Sequence, residues 1–423
     1  MRIRPDGFTG ALMAVEGIHD ARALLHGPGG CRIYHTVMSR NTYSRMEKAG
    51  TADYNLPYFF GQPRIPCTYL DEGDFINGAN DKVAEALPIV GSKGDKLIVV
   101  IDSPGAALIG DDHTAAIFES GMSDRAFSVE ESLISLPLST GYDRTILSVM
   151  GWLAPAKSGT RPGTVNLLGM SVLDKDWKNG LREVKKSIEL MGLEVISVPG
   201  AGCTVDELKD SVNASLNVVV CPEFGINVAE FYKDRYGIPY VVSPSGAPVG
   251  FDSTEILIKT VAKASSKDPT QALERIEGYK EEVFRILMGA RYKSMRLRGS
   301  SFSACGDASI VFPLTKWLYE YLSMMPIAVC TDEGSYKPAE EGLKEFLSSI
   351  GASDAFGKEP VQGSDFVFAD GNTAKLMEFS GVSQNGIDIG LPSLEHNNVL
   401  PRPLLGAKGA MYLIDEIIRS KGI

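Results

Sequence analysis

Cys31 stands at the end of the run His26-Gly27-Pro28-Gly29-Gly30-Cys31. The glycines before it let the backbone approach a bulky inorganic ligand closely, where a Cβ would block the way. A thiolate at that point would face the ligand, and soft thiolates are what iron–sulfur and related metal centres select. Two further segments carry residues of similar interest: Ser103-Pro104-Gly105-Ala106-Ala107-Leu108-Ile109-Gly110-Asp111-Asp112, and Leu216 to Cys221 leading to Tyr236-Gly237-Ile238-Pro239. No Gly-Lys-Ser/Thr follows the early glycines, so they form no Walker A phosphate loop and the chain is not expected to hydrolyse ATP.

The elements that must hold these residues read as an α/β fold. Short apolar, β-branched runs at Lys96–Ile101, Thr164–Gly169, Glu194–Val198, Leu216–Val220, Ile327–Cys330 and Asp365–Ala369 alternate with helical patterns, the grammar of βαβ units and parallel sheets. Helices are expected at Asn179–Leu190 and at Val205–Val212, the second opened by a Thr204/Glu207 capping box. Ligands of open parallel sheets sit beyond the carboxyl ends of the strands. Ser103 and Cys221 each follow such an end, Cys31 follows the short run Ala23-Leu24-Leu25, and His396 follows Ile387–Leu391. The Pro/Gly/Ser-rich stretch 154–163 reads as a linker. A long charged helix is expected from Ser266 to Arg296, with a second break near Arg298-Gly299-Ser300-Ser301. These breaks give three Rossmann-like domains: 1–158, 159–298 and 299–423.

The 423 residues exceed one compact core, and 44% hydrophobic against 22% charged residues describes a globular chain with no apolar run of membrane-spanning length. Forty-two basic and 53 acidic residues, net −11, with no basic stripe interleaved with aromatics, argue against nucleic acid as a partner. No apolar segment follows Met1-Arg2-Ile3-Arg4, so no secretion signal is expected and the expected compartment is the cytoplasm. Six scattered cysteines are too few for a disulfide framework; they are expected as free thiols, packing residues or metal ligands, with Cys330 a small core residue and Cys203 and Cys305 turn residues.

On these motifs the chain resembles component 1 of the nitrogenase superfamily, from Gly27 to about Ile418. Besides the Cys31 loop, Arg40, Asn41 and Tyr43 resemble the family's Ser-Arg-Arg-Asn-Tyr-Tyr segment, and Asp71–Gly78 its Glu-x-Asp-x-x-Phe-Gly-Gly. The resemblance assigns Cys31 to an iron–sulfur cluster at a subunit interface. Two other family cysteines are absent, one near Pro5 and one replaced by Ser103, so an eight-iron cluster is not expected. Cys67 is close enough in sequence to replace one of them. Two chains each offering Cys31 and Cys67 would supply the four thiolates of one [4Fe-4S] cluster. Cys221, fifteen residues before Tyr236, and His396, ten before Gly406, match the family's ligands to an iron–molybdenum-type cofactor. Tyr142, in Leu138-Ser139-Thr140-Gly141-Tyr142, stands where the family has a histidine that supports substrate reduction; a phenol with pKa about 10 relays protons less well than imidazole.

The resemblance thus implies an oxidoreductase, the catalytic component of a nitrogenase-like system. It would receive electrons from a separate ATP-dependent iron–sulfur reductase and reduce a substrate other than dinitrogen, as a homodimer or with a related component 1 subunit. Two alternatives stay open: a scaffold or carrier for metallocofactor assembly, and a tetrapyrrole reductase component. Each residue also has a plainer reading. Cys31 can be a tight-turn residue, Cys67 and Cys221 packing cysteines, His396 a loop histidine, and His26, His35 and His113 residues that place the loop.

Overall fold

The computed structural model describes residues 5–42, 65–92, 94–129, 133, 135–289, 297–391, 393 and 400–420. The chain is a mixed α/β protein, its described residues forming three sheets with parallel pairings. It divides into two compact units, one comprising Arg4–Gly159 and Ser197–Asn213, the other Thr160–Ile196 and Ala214–Ile423.

The first unit carries a three-stranded sheet, β1 (Ala21–His26), β2 (Leu97–Asp102) and β3 (Ala126–Ser128), with β2 in the middle. Leu24, Ile98 and Val100 are wholly buried against Val83, Leu87 and Val90 of the helix Asn80–Gly91 and Ala116 and Ile117 of the helix His113–Glu119. Burial on both faces is why these strands read as unbroken apolar runs rather than alternating ones. The register sets Leu25 opposite Ile101 and His26 opposite Asp102, so both strands end together and deliver His26, Gly27 and Ser103 to one edge.

The second unit holds two four-stranded sheets. In one, β4 (Arg161–Leu168), β6 (Ala214–Val219) and β7 (Tyr240–Val242) pair parallel, with β5 (Glu194–Ser197) beside β4. In the other the order is β11 (Ser383–Gly390), β10 (Ser364–Asp370), β8 (Ser301–Gly306), β9 (Met325–Thr331), all parallel.

Three sequence expectations are corrected. The stretch 154–163 is not wholly linker, because its last residues, Arg161-Pro162-Gly163, open β4 as an exposed, irregular start. The charged helix expected from Ser266 to Arg296 starts four residues later, as Thr270–Gly289, with 290–296 outside the described residues; Ser266 is instead the left-handed cap of the preceding helix, Phe251–Ser265. Asp268 marks that start, its side chain accepting from the amide and hydroxyl of Thr270. Finally, Cys305 and Cys330 are not free. The β8–β9 register places them opposite one another with Cα atoms 4.8 Å apart, within disulfide range, and they are joined.

The Thr204/Glu207 capping box forms as expected. Thr204 Oγ1 accepts from the Glu207 amide and Glu207 Oε2 from the Thr204 amide at 2.7 Å, satisfying two orphan donors of the helix Val205–Asp210. Thr204→Ala should cost about 1 kcal/mol by urea unfolding and Thr204→Ser much less; equal losses for the two would show that the hydroxyl is not what matters.

Candidate metal centre

The β1 and β2 ends of the first unit gather Cys31, Cys67 and Ser103 around one loop. Cys31 lies in the first turn of the helix Gly29–Thr42. Cys67 is drawn in by a bridge pairing it with Leu25, and its Sγ donates to the Gly27 carbonyl at 3.0 Å while accepting from the Tyr69 amide. Gly27 is required here, since a Cβ would strike the side chain of Ser103. At Gly30 the situation reverses, and nothing lies within 4 Å of where a Cβ would be. The loop is therefore packed on its inner side and open beside Cys31.

Both thiols are partly exposed. Burial raises Cys31 above the usual thiol range, with the Asp6 carboxylate adding to the rise. Burial likewise raises Cys67, outweighing the Tyr69 amide and the Arg32 guanidinium that favour its thiolate. Each thiol holds its proton at neutral pH, and metal uptake must displace it. Ser103 is buried, with its Oγ accepting from the Ala106 amide, so it braces the turn.

The surface around the loop is apolar. Ile33, Tyr34 and Val37 project from the Gly29–Thr42 helix, Tyr69 lies beside Gly29 under the Arg32 guanidinium, and Phe75 lies beside Gly105, all exposed. An apolar collar of this kind marks an interaction surface. His35 fixes the helix beneath it, its Nδ1 bonded to the Cys31 carbonyl at 2.6 Å and its Nε2 to Thr9 Oγ1 at 2.9 Å. Burial lowers the His35 pKa, which keeps the ring neutral. The Asp71–Gly78 motif spends its carboxylates locally, as Asp71 and Asp74 form a capping box for the helix Glu72–Asn77 and Asp74 pairs with Lys82.

Tyr142 packs inside the first unit. It is wholly buried in the helix Leu138–Leu153 and its hydroxyl donates to the Gly200 carbonyl of the same unit, which leaves its single proton committed. His396, Tyr43 and the side chains of Arg40 and Asn41 lie outside the described residues.

Cys221 belongs to the second unit and follows β6. It is 1% exposed, and burial, then the carboxylates of Asp174, Glu223 and Asp307, push its thiol well up. The Cα of Gly169, a position with φ +77° that L-residues avoid, packs against the Cys221 carbonyl. What sequence reasoning missed is Glu223, two residues on. Its Oε1 accepts from the amides of Ser309 (2.9 Å) and Tyr336 (3.1 Å), and its Oε2 from the Ser309 hydroxyl. Both amides are helix-start donors, for Ala308–Leu322 and Lys337–Ser349, whose own N-cap side chains, Asp307 and Tyr336, make no cap bond. A carboxylate inside an apolar segment just past a strand end was the available signal.

Asp174 supplies a pH signature. Burial pushes its carboxyl from the ordinary 3.8 up to about 7, against the Ser171 amide that favours the charged form. Between those values the folded chain holds one more proton than the unfolded chain. Stability is therefore highest below pH 3.8 as far as this group goes, falls as pH rises through 7, and is flat above. Partial surface exposure of the residue screens the effect to roughly 2 kcal/mol. Urea titrations of metal-free wild type and Asp174→Asn should differ by that slope between pH 4 and 7; parallel profiles would refute it.

The nitrogenase component 1 type oxidoreductase family model matches residues 7–420. The chain is 24% identical to the nitrogenase iron-molybdenum cofactor biosynthesis protein NifE of Clostridium pasteurianum, covering 97% of this chain and 85% of that protein. It is also 24% identical to the nitrogenase molybdenum-iron protein beta chain of Methanococcus maripaludis, covering 96% and 91%. Against a component of the light-independent protochlorophyllide reductase of Chlorokybus atmophyticus identity is 23%, covering 73% and 60%. A solved structure of nitrogenase Cp1 at pH 6.5 superposes with a TM-score of 0.79 at 19% identity, covering 99% of this chain and 93% of that one, a likeness of fold. No helix among the described residues is long and apolar enough to cross a membrane.

Proposed function

Because the chain belongs to the nitrogenase component 1 type oxidoreductase family, we propose that it is the catalytic component of a nitrogenase-like reductase, acting in the cytoplasm on a substrate other than dinitrogen. A separate ATP-dependent iron–sulfur reductase would deliver the electrons. The observation that carries the reading is the pair of partly exposed thiols, Cys31 and Cys67, brought from two segments to the Gly27 loop and ringed by exposed apolar side chains. Two thiols are half of what a cubane requires, so a second protomer, identical or related, would bring the other half as it covers the collar. These residues fit one [4Fe-4S] cluster, whose chemistry when bound is one-electron transfer.

The chain's own contributions follow from the loop. Gly30 leaves the approach open, Ser103 and the Cys67–Gly27 bond hold the backbone still, and His35 clamps the Cys31 carbonyl. The apolar collar would exclude water once covered. Dinitrogen reduction is disfavoured because Tyr142 stands where the resemblance places a histidine, and its hydroxyl is committed to the Gly200 carbonyl. No step is therefore routed through an iron–molybdenum-type cofactor at Cys221 and His396.

The test is anaerobic isolation of the full chain, reconstitution with iron and sulfide, and quantitation of iron, molybdenum and vanadium. About four irons per two chains, no heterometal, and turnover with a P-loop iron–sulfur ATPase support the proposal. Material that stays colourless and iron-free ends it. The full-length likeness to NifE favours a second reading, a carrier for cofactor assembly; molybdenum or vanadium bound without turnover would select it.

A further inference from the structure

Away from the thiols, the carboxyl edge of the first sheet gathers a second set of metal-ligating side chains from four places in the sequence. His26 ends β1 and Asp102 ends β2, opposite each other in register. Asp111 follows in the loop and His113 opens the helix His113–Glu119. One nitrogen of His26, one of His113 and a carboxylate oxygen of Asp102 all lie within 4.8 Å of one another. The two rings meet edge to face with centroids 5.0 Å apart. His26 Nε2 is bonded to Asp111 at 3.0 Å and His113 Nε2 to Asp102 at 2.7 Å.

Charge is the first argument. The side chain of Asp111 is 6% exposed and that of Asp102 24%, yet among the described residues neither meets a lysine or arginine. Their side-chain partners are the two imidazoles, and Asp111 also accepts from the Ala79 amide at 3.0 Å. Two carboxylates thus converge on two imidazoles with no fixed cation beside them among the described residues, and buried charge is tolerated only when paired. The second argument is an orphan. His113 is 8% exposed, and its Nδ1 is buried with no hydrogen-bond partner. With Nε2 bonded to Asp102, Nδ1 is the ring nitrogen left without a partner. The third is support from behind. Thr68 Oγ1 bonds His26 Nδ1 at 3.1 Å and is itself fixed by the Gly27 amide at 3.1 Å, an outer partner of the sort that orients a ligating imidazole.

We propose that His26, Asp102 and His113, with Asp111 beside them, form a binding site for one divalent transition-metal cation, distinct from the thiol centre and ligated by nitrogen and oxygen alone. Two imidazoles and a carboxylate suit zinc or ferrous iron, and a buried position with fixed rings suits a structural ion that ties the β1 and β2 ends together. Binding releases imidazole N–H protons where those nitrogens become ligands and leaves every oxidation state unchanged.

The experiment uses the full-length chain with Cys31→Ser and Cys67→Ser, so that the thiol centre cannot contribute, titrated with Co²⁺ and, in parallel calorimetry, Zn²⁺. One ion per chain is expected, with cobalt ligand-field bands and no sulfur-to-cobalt charge transfer. X-ray absorption of the zinc form should give a nitrogen/oxygen shell at about 2.0–2.1 Å. His113→Gln and Asp102→Asn should each weaken binding at least about tenfold, with circular dichroism confirming that both are folded. No uptake at micromolar metal, uptake unchanged in both variants, or a sulfur-containing shell would each overturn the proposal. Because the thiols are absent, failure here leaves the iron–sulfur reading untouched, and the reverse also holds.

Discussion

Cys31→Ala is expected to abolish cluster binding almost completely, with iron falling from about four per two chains to near zero and the visible absorption disappearing with it. One substitution removes two ligands, because a two-fold arrangement repeats it, and two remaining thiolates do not retain a cubane. Folding should hardly change. The Cys31 side chain is partly exposed, and among the described residues its sulfur bonds to no other residue, so the loss of stability should stay within about 0.5 kcal/mol. Cys67→Ala should lose iron equally but also destabilise the loop somewhat, since its Sγ bonds the Gly27 carbonyl. Iron and sulfide assays beside thermal unfolding check both. Full iron content in Cys31→Ala would refute the assignment, whereas iron loss accompanied by global unfolding would show only that the residue is structural.

Glu223→Leu is expected to destabilise the second unit by about 4 kcal/mol. It strips the acceptor from two buried helix-start amides, each costing roughly 1–3 kcal/mol when left unsatisfied, and from the Ser309 hydroxyl. The control is Glu223→Gln. A carbonyl in the Oε1 position can still accept from both amides, and the new NH₂ can donate to the Ser309 hydroxyl after that hydroxyl rotates, so the cost should fall to about 1 kcal/mol. Urea unfolding of the three proteins tests this. If leucine and glutamine cost the same, the negative charge rather than acceptor geometry is what the site requires.

The strands were readable because sheets covered on both faces demand continuous apolar runs, as at Leu97–Asp102 and Ala214–Val219. The position of Cys31 just past a strand end was readable because it is local: a glycine run, a thiol and a strand end in one segment. Interactions that depend on register were not. The meeting of His26 with Asp111, and of Cys305 with Cys330, depends on which strands pair and in what order, and no window of neighbouring residues encodes that. The true start of the charged helix was encoded, in Ser266-Lys267-Asp268-Pro269-Thr270, but the charged surroundings hid the stop of one helix and the cap of the next. The surroundings of Tyr142 were hidden for the same reason as the register-dependent pairings, since the partner of its hydroxyl, Gly200, lies far along the chain.

The bond between Cys305 and Cys330 carries a last consequence. It closes a 25-residue excursion, out of β8, through the helix Ala308–Leu322 and back into β9. With both ends pinned, that helix can lift off its strands only at a higher entropic cost, by about 3 kcal/mol in loop-closure terms. Amide hydrogens there should thus trade with deuterated solvent more slowly in an aerobically handled sample than in one kept under strong thiol, so a sample's redox history would be legible in its exchange pattern.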